Sequence, residues 1–175
     1  MTNFFIIPGL GNSGEAHWQT FFERSGSNFQ RIQQQEWDAP LCSDWVSTIS
    51  QAIAGYDPAT VVLIAHSLGC STMAHWAAQY NTIIKGALLV APSDLESAHY
   101  TFPAKGFAPI PSAKINFKTI VVASEDDPWV SLERAKFFAT NWGSELITIG
   151  KAGHINAAAG YGDWEQGLEI LKAFE

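Results

Sequence analysis

Short runs of unbroken apolar residues alternate along the chain with stretches in which apolar positions recur every three or four residues. The unbroken runs predict strands at Phe4–Pro8, Phe29–Gln33, Thr60–Ala65, Gly86–Ala91, Lys118–Ala123 and Glu145–Ile149. The periodic stretches predict helices at Ala16–Arg24, Cys42–Ala54, Leu68–Tyr80, Leu132–Thr140 and Trp164–Ala173. A strand that is apolar at every position has both faces buried, so strands of this kind separated by helices imply a parallel sheet covered on both sides. The expectation is a three-layer α/β fold with right-handed crossovers and a mostly or wholly parallel sheet of about six strands.

One segment breaks the rhythm. Pro92 to Asn116 holds four of the 8 prolines and shows little periodicity. A connection of that length inside a compact domain is uncommon and often functional. It follows a strand end, which puts it over the expected site.

With 175 residues the chain has room for one domain, 1–175, with a real core. Hydrophobic residues make up 47% and charged residues 15%, which excludes a disordered chain. A net charge of −7 with scattered Lys and Arg argues against nucleic acid or an anionic membrane as partner. The two cysteines, Cys42 and Cys70, match no zinc or redox spacing. Met1 to Gly9 has no basic start, its apolar run is short and Pro8-Gly9 stops it, so it reads as a first strand rather than a signal peptide. A cytoplasmic location is the resulting expectation. No protein partner is implied.

The chemistry concentrates after the third predicted strand. Thr60 to Ile64 runs into Ala65-His66-Ser67-Leu68-Gly69, and a helical stretch follows. Strand, small-His-Ser-x-Gly turn and helix together make the context of a nucleophile elbow, in which the residues two before and two after the Ser must be small. Ser67 then sits at a strained apex at a helix N-terminus, where free N–H groups favour a developing negative charge. A Ser hydroxyl needs a base, and the base needs an acid to hold its tautomer. In α/β-hydrolases these follow in the order Ser, acid, His, each just past a strand end.

Past Ile120-Val121-Val122-Ala123 lies Glu125-Asp126-Asp127-Pro128-Trp129; past Leu146-Ile147-Thr148-Ile149 lies Gly153-His154. His154 is therefore the expected base and Asp127 the expected acid, with Asp126 the alternative and Asp94 a distant third. The oxyanion donors are expected at the backbone N–H groups of Leu68 and of Leu10, in the loop after the first strand. His66 and His75 read as packing residues. His17, His99 and Trp129 are candidate substrate contacts, with His17 also a candidate for ordering the oxyanion loop.

Gly9-Leu10-Gly11-Asn12-Ser13-Gly14 also matches a dinucleotide fingerprint, with Glu36 or Asp38 somewhat over 20 residues on. That reading leaves the elbow, the acid cluster and His154 unused, whereas an oxyanion loop accounts for all of them. No P-loop Lys and no metal motif is present, and no cofactor or metal is expected.

Pro8-Gly9-x-Gly11 followed by His17-Trp18, Trp37-x-x-Pro40 then Trp45, Ala65-His66-Ser67-Leu68-Gly69-Cys70, Glu125-Asp126-Asp127-Pro128 and Ala152-Gly153-His154 occur in that order. Taken together they resemble the small single-domain serine hydrolases of the YdeN-like and retinoblastoma-binding family. The resemblance spans Ile7 to His154. It implies an α/β-hydrolase core without a large cap domain, and a triad falling on Ser67, Asp127 and His154. Its plausible substrates are small esters or amides. The elbow begins with Ala65 where Gly is commoner, and Ala is still small. The Leu-x-Cys-x-Glu motif for the retinoblastoma pocket is absent, since Leu68-Gly69-Cys70-Ser71-Thr72 ends in Thr, and that partner is not implied.

The expected function is a serine hydrolase acting on a small-molecule ester or amide through an acyl-enzyme. The alternatives are a catalytically weak binding or regulatory protein on the same fold, and a nucleotide-dependent oxidoreductase using the Gly-rich loop.

Overall fold

The computed structural model describes residues 1–175. Six strands form one wholly parallel sheet: β1 (Asn3–Ile7), β2 (Phe29–Arg31), β3 (Val61–His66), β4 (Gly86–Val90), β5 (Thr119–Ala123) and β6 (Glu145–Thr148). Five α-helices connect or follow them: α1 (Trp18–Ser25), α2 (Cys42–Ile53), α3 (Leu68–Tyr80), α4 (Leu132–Trp142) and α5 (Glu165–Leu171). Each predicted element is present, with ends that coincide or shift by at most two residues. At α5 the last residues tighten into a 3₁₀ turn over Lys172–Phe174.

The period-two alternation divides the strands between two cores. Phe5, Ile7, Val61, Leu63, Ala65, Ala87 and Leu89 face α2, α3 and α4, where Trp45, Ile49, Met73, Trp76, Phe138 and Trp142 cover them. Phe4, Ile6, Val62, Ile64, Leu88 and Val90 face α1 and α5, under Trp18, Phe22, Trp164 and Leu171. The result is the three-layer α/β-hydrolase arrangement, with no cap inserted.

The sheet order is β2-β1-β3-β4-β5-β6. The chain winds outward from β1 to β2, then returns past β1 to place β3 on its other side. The crevice at such a reversal, beyond the carboxyl ends of the strands, is where open α/β sheets take ligands. Here β1 and β3 run in register over five pairs, Asn3 with Val61 through Ile7 with Ala65. Their two outgoing loops, the Gly-rich segment and the Ser67 turn, therefore meet.

The Pro-rich connection from β4 to β5 is irregular but anchored. Phe107, Ile110 and Ile115 are buried in the larger core. The Phe107 carbonyl accepts hydrogen bonds from His75 Nε2 (3.0 Å) and Ser71 Oγ (3.3 Å) on α3. No helix is long and apolar enough to cross a membrane.

Candidate active site

Ser67 leaves β3 with φ 56° and ψ −123°, a backbone conformation that L residues avoid. The turn is held in it from both sides. A Cβ on Gly69 would stand 2.5 Å from the Ile7 carbonyl oxygen and 2.8 Å from that of Pro8, and one on Gly9 would stand 2.8 Å from Ser67 Cβ. The elbow thus packs directly against the end of β1, and only Gly fits at 69. Ser67 N–H donates to the Val90 carbonyl (3.0 Å), which ties the turn to β4 as well.

The Ser67 hydroxyl lies 2.9 Å from His154 Nε2. His154 Nδ1 lies 2.8 Å and 3.0 Å from the two carboxylate oxygens of Asp127. An Nδ1–H facing a carboxylate fixes the tautomer and leaves Nε2 free to accept the Ser67 proton. Both His154 and Asp127 are buried. Asp127 Oδ1 also accepts the Trp129 N–H (2.8 Å), so the acid is oriented by the turn that follows it.

Asp126 points elsewhere. Its Oδ1 accepts from Ser124 Oγ (2.9 Å) and from the Gly153 N–H (2.8 Å), while Ser124 Oγ accepts from the Ala152 N–H (2.9 Å). These bonds brace the turn that carries His154, and they hold the Asp126 carboxyl below its ordinary range. Asp94 is drawn away by Arg134, at 3.2 Å.

Below His154 lie two further imidazoles, His66 tilted against it at 4.9 Å and His17 edge-on to His66 at 4.8 Å. His66 Nε2–H donates to the His154 carbonyl (2.9 Å), a second hold on the base. Burial pushes His66 well below its ordinary value. Burial, the Arg31 charge and His154 push His17 down to about 4. Both are neutral at pH 7, so no competing cation sits behind His154. The two thiols are held protonated by burial, Cys42 pushed up to about 12 and Cys70 higher still.

A cavity of about 210 Å³ opens on Ser67 and His154. Leu10 and Asn156 line it, with Ser93, Tyr100, Phe102 and Trp129. Leu68 opens α3, and first-turn N–H groups have no acceptor inside their helix. Of the candidate contacts, Trp129 reaches this cavity while His17 and His99 do not. His17 is the N-cap of α1, its Nδ1 accepting the Gln19 N–H (3.2 Å), and it is buried beneath the site. His99 is exposed on the connection, and its neighbours Tyr100 and Phe102 take the wall position instead.

Two residues that the sequence pattern did not single out are central. Ser93 Oγ lies 2.9 Å from Ser67 Oγ. Gln19, fully buried on a helix, donates to the carbonyls of Ile7 (3.2 Å) and Ile64 (3.3 Å) and accepts from Ser13 Oγ (2.6 Å), fastening the Gly-rich loop to the sheet. Within that loop the N–H groups of Gly11, Asn12 and Ser13 are taken by Trp37, Gly9 and the Asn12 side chain. A pyrophosphate would have to displace them, which argues against a dinucleotide cradle. No cluster of three or more His, Cys, Asp or Glu side chains is placed to hold a metal ion.

A family model described as serine hydrolase matches residues 4–173. No curated protein sequence matches significantly. A YdeN-like hydrolase from Pectobacterium atrosepticum superposes with a TM-score of 0.88 at 36% identity, over 99% of this chain and 90% of that one. The ydeN product of B. subtilis follows at 0.77 and 20% identity, over 99% and 98%. A CIB-like hydrolase from Thermoplasma acidophilum gives 0.68 and 20%, over 99% and 85%. The chain belongs to the serine hydrolase family, as a YdeN-like small α/β-hydrolase.

Proposed function

We propose that the protein hydrolyses small esters or amides through an acyl-enzyme on Ser67, with His154 as general base and acid and Asp127 as the acid that orients it. The observation that carries this reading is the unbroken run of hydrogen bonds from the buried Asp127 through His154 to the half-buried Ser67, ending at an open cavity. His154 Nε2 takes the Ser67 proton as Oγ attacks the carbonyl carbon. The oxyanion forms between the N–H groups of Leu68 and Leu10, and each such donor is worth about 10²–10³ in rate. His154 then protonates the leaving alcohol or amine. A water, deprotonated by His154, attacks the acyl-enzyme and returns Ser67. The two neutral imidazoles behind His154 support this cycle, because a cation there would oppose formation of the imidazolium.

The test is intact mass after incubation with a fluorophosphonate. One adduct on the wild type and none on Ser67→Ala is the expected result. A folded wild type that takes no adduct overturns the proposal.

A further inference from the structure

The wall of the cavity is aromatic. Phe102 stands edge-on to Tyr100 at 5.2 Å and to Trp129 at 4.9 Å. The rings come from two segments that other contacts lock together. Asp94 N–H donates to the Trp129 carbonyl (3.0 Å), and Arg134 pairs with both Asp94 and Glu96. No Lys, Arg, Asp or Glu lines the cavity. The Tyr100 phenol, pushed up to about 12 by burial, adds no charge. A charged substrate group would therefore be desolvated without a partner. The size suits one ring: a dry protein cavity of about 150 Å³ takes one benzene, and this one, open on one side for the rest of a substrate, is about 210 Å³.

We infer that the Tyr100–Phe102–Trp129 wall is a subsite for one uncharged aromatic ring, and that the substrate is a small ester with such a ring within a few bonds of its carbonyl. This rests on Ser67 being the nucleophile. Face or edge contact with flat rings favours an aryl group over a saturated ring of equal size by roughly 3–10-fold.

The experiment compares benzyl acetate with cyclohexylmethyl acetate, and ethyl phenylacetate with ethyl cyclohexylacetate. A preference of about 3–10-fold in kcat/KM for the aryl member of one pair, lost in Phe102→Ala, is expected, and the responding pair tells whether the ring sits on the alcohol or the acyl side. Equal rates in both pairs, or a preference that survives Phe102→Ala, overturn the subsite. Diisopropyl fluorophosphate carries no ring. Its failure to label Ser67 would strike the nucleophile assignment instead.

A separate observation concerns Ser93. The residue is 2% exposed, and its hydroxyl lies 2.9 Å from Ser67 Oγ. Ser67 has one proton, and when His154 Nε2 is the acceptor that proton is committed. A buried hydroxyl donor needs an acceptor, and Ser67 Oγ is the one Ser93 has. The geometry points to Ser93 as a further catalytic residue, donating its O–H to Ser67 Oγ.

The bond gains strength when charge appears. As the Oγ–H bond breaks toward His154 and the Oγ–C bond forms, Oγ becomes alkoxide-like and the Ser93 bond becomes charge-assisted, roughly twice as strong as a neutral one. Once acylated, Oγ is an ester oxygen and a poorer acceptor. In deacylation the Oγ–C bond breaks, Oγ regains negative charge and then a proton from His154, and Ser93 again stabilises it. Both half-reactions benefit, and substrate binding does not.

In Ser93→Ala, kcat and the fluorophosphonate labelling rate should fall about 10–100-fold, with KM and Tm unchanged. Labelling at the wild-type rate overturns the assignment. A slower rate accompanied by a raised KM or a lowered Tm also overturns it, since that is the signature of a packing residue. Absence of labelling in the wild type as well would again count against Ser67 and not against Ser93.

Discussion

Two regions meet over Ser67, and they are built differently. On one side are the turns that end β3, β5 and β6. His154 and Asp127 are buried and Ser67 is half-buried, and backbone register fixes their positions: β4 pairs with β3 and β5, β5 pairs with β6, and Ser124 and Asp126 stitch the last two turns together. On the other side is the connection between β4 and β5. It adds no strand to the sheet and is held by scattered main-chain bonds, Lys105 with Pro40 and Cys42, Asp94 with Trp129 and Ile115 with Trp142, and by side chains: the buried Phe107, Ile110 and Ile115, and Arg134 reaching Asp94 and Glu96 while its guanidinium lies over Phe137 and Phe138 at 4.7 and 4.6 Å. On the proposed mechanism the first region holds the proton path and the second carries Tyr100 and Phe102 of the wall, while two residues cross over: Trp129 joins the wall from the turn after β5, and Ser93 reaches Ser67 Oγ from the head of the connection. Away from those two, reaction chemistry and substrate preference should separate on mutation.

The separation breaks hardest on the turn side. Ser67→Ala or His154→Ala should lower kcat by about 10⁴–10⁶, and Asp127→Asn by about 10⁴, with little change in Tm. Asp126→Asn should cost far less, because it braces a turn and does not touch the imidazole. Steady-state hydrolysis of one ester across the four variants decides it, and Asp126→Asn falling below Asp127→Asn would reverse the assignment of the acid.

Acid tests the same side through stability. His17 has its folded value near 4, against 6.5 unfolded. As pH falls through 6.5 the unfolded chain takes up a proton that the folded chain refuses, so this stability is complete above 6.5 and is lost toward pH 4. His17 alone contributes on the order of 3 kcal/mol, and His66 acts in the same direction. Urea unfolding at pH 7.5 and pH 5 should show the drop. His17→Asn, which keeps an acceptor for the helix cap, should reduce it to the share that His66 contributes.

Gly69→Ala sharpens the point about backbone. A Cβ there meets main-chain carbonyls, which cannot swing aside, and the cost should be about 1–3 kcal/mol in urea unfolding. Arg134→Met probes the other side with the smallest effect. It should raise KM for an aryl ester by about 3–10-fold, a partly exposed ion-pair network being worth about 1 kcal/mol, and leave the labelling rate of Ser67 intact. A lost labelling rate would mean the two regions are coupled.

The turn side was legible in the sequence, and the wall was only half so. An apolar run from Val61 to Ala65 that leads into His-Ser-Leu-Gly has few other uses, and the order of acid and His after later strands repeats a geometric demand. Trp129 could be anticipated because it follows the acid by two residues. Ser93, Tyr100 and Phe102 could not, since a Ser, a Tyr and a Phe in a Pro-rich stretch carry no period, and their placement depends on anchors such as Phe107 and Arg134 that are distant in sequence. Gln19 was hidden for another reason: a polar residue on a helix reads as solvent-facing unless the carbonyls it satisfies are known. His17 was noticed, but its pairing with the α1 N-terminus and His66 took it beneath the site.

The order of the strands has a consequence in time. Ser67 leaves the ribosome with the third strand, yet its base follows the sixth, which lies at the sheet's edge and joins it through four residue pairs with β5 alone. A nascent chain that ends within β5 carries the nucleophile and no base. On the proposed mechanism, the strained serine therefore gains its base only when the edge strand, the last of the six to be made, docks on β5.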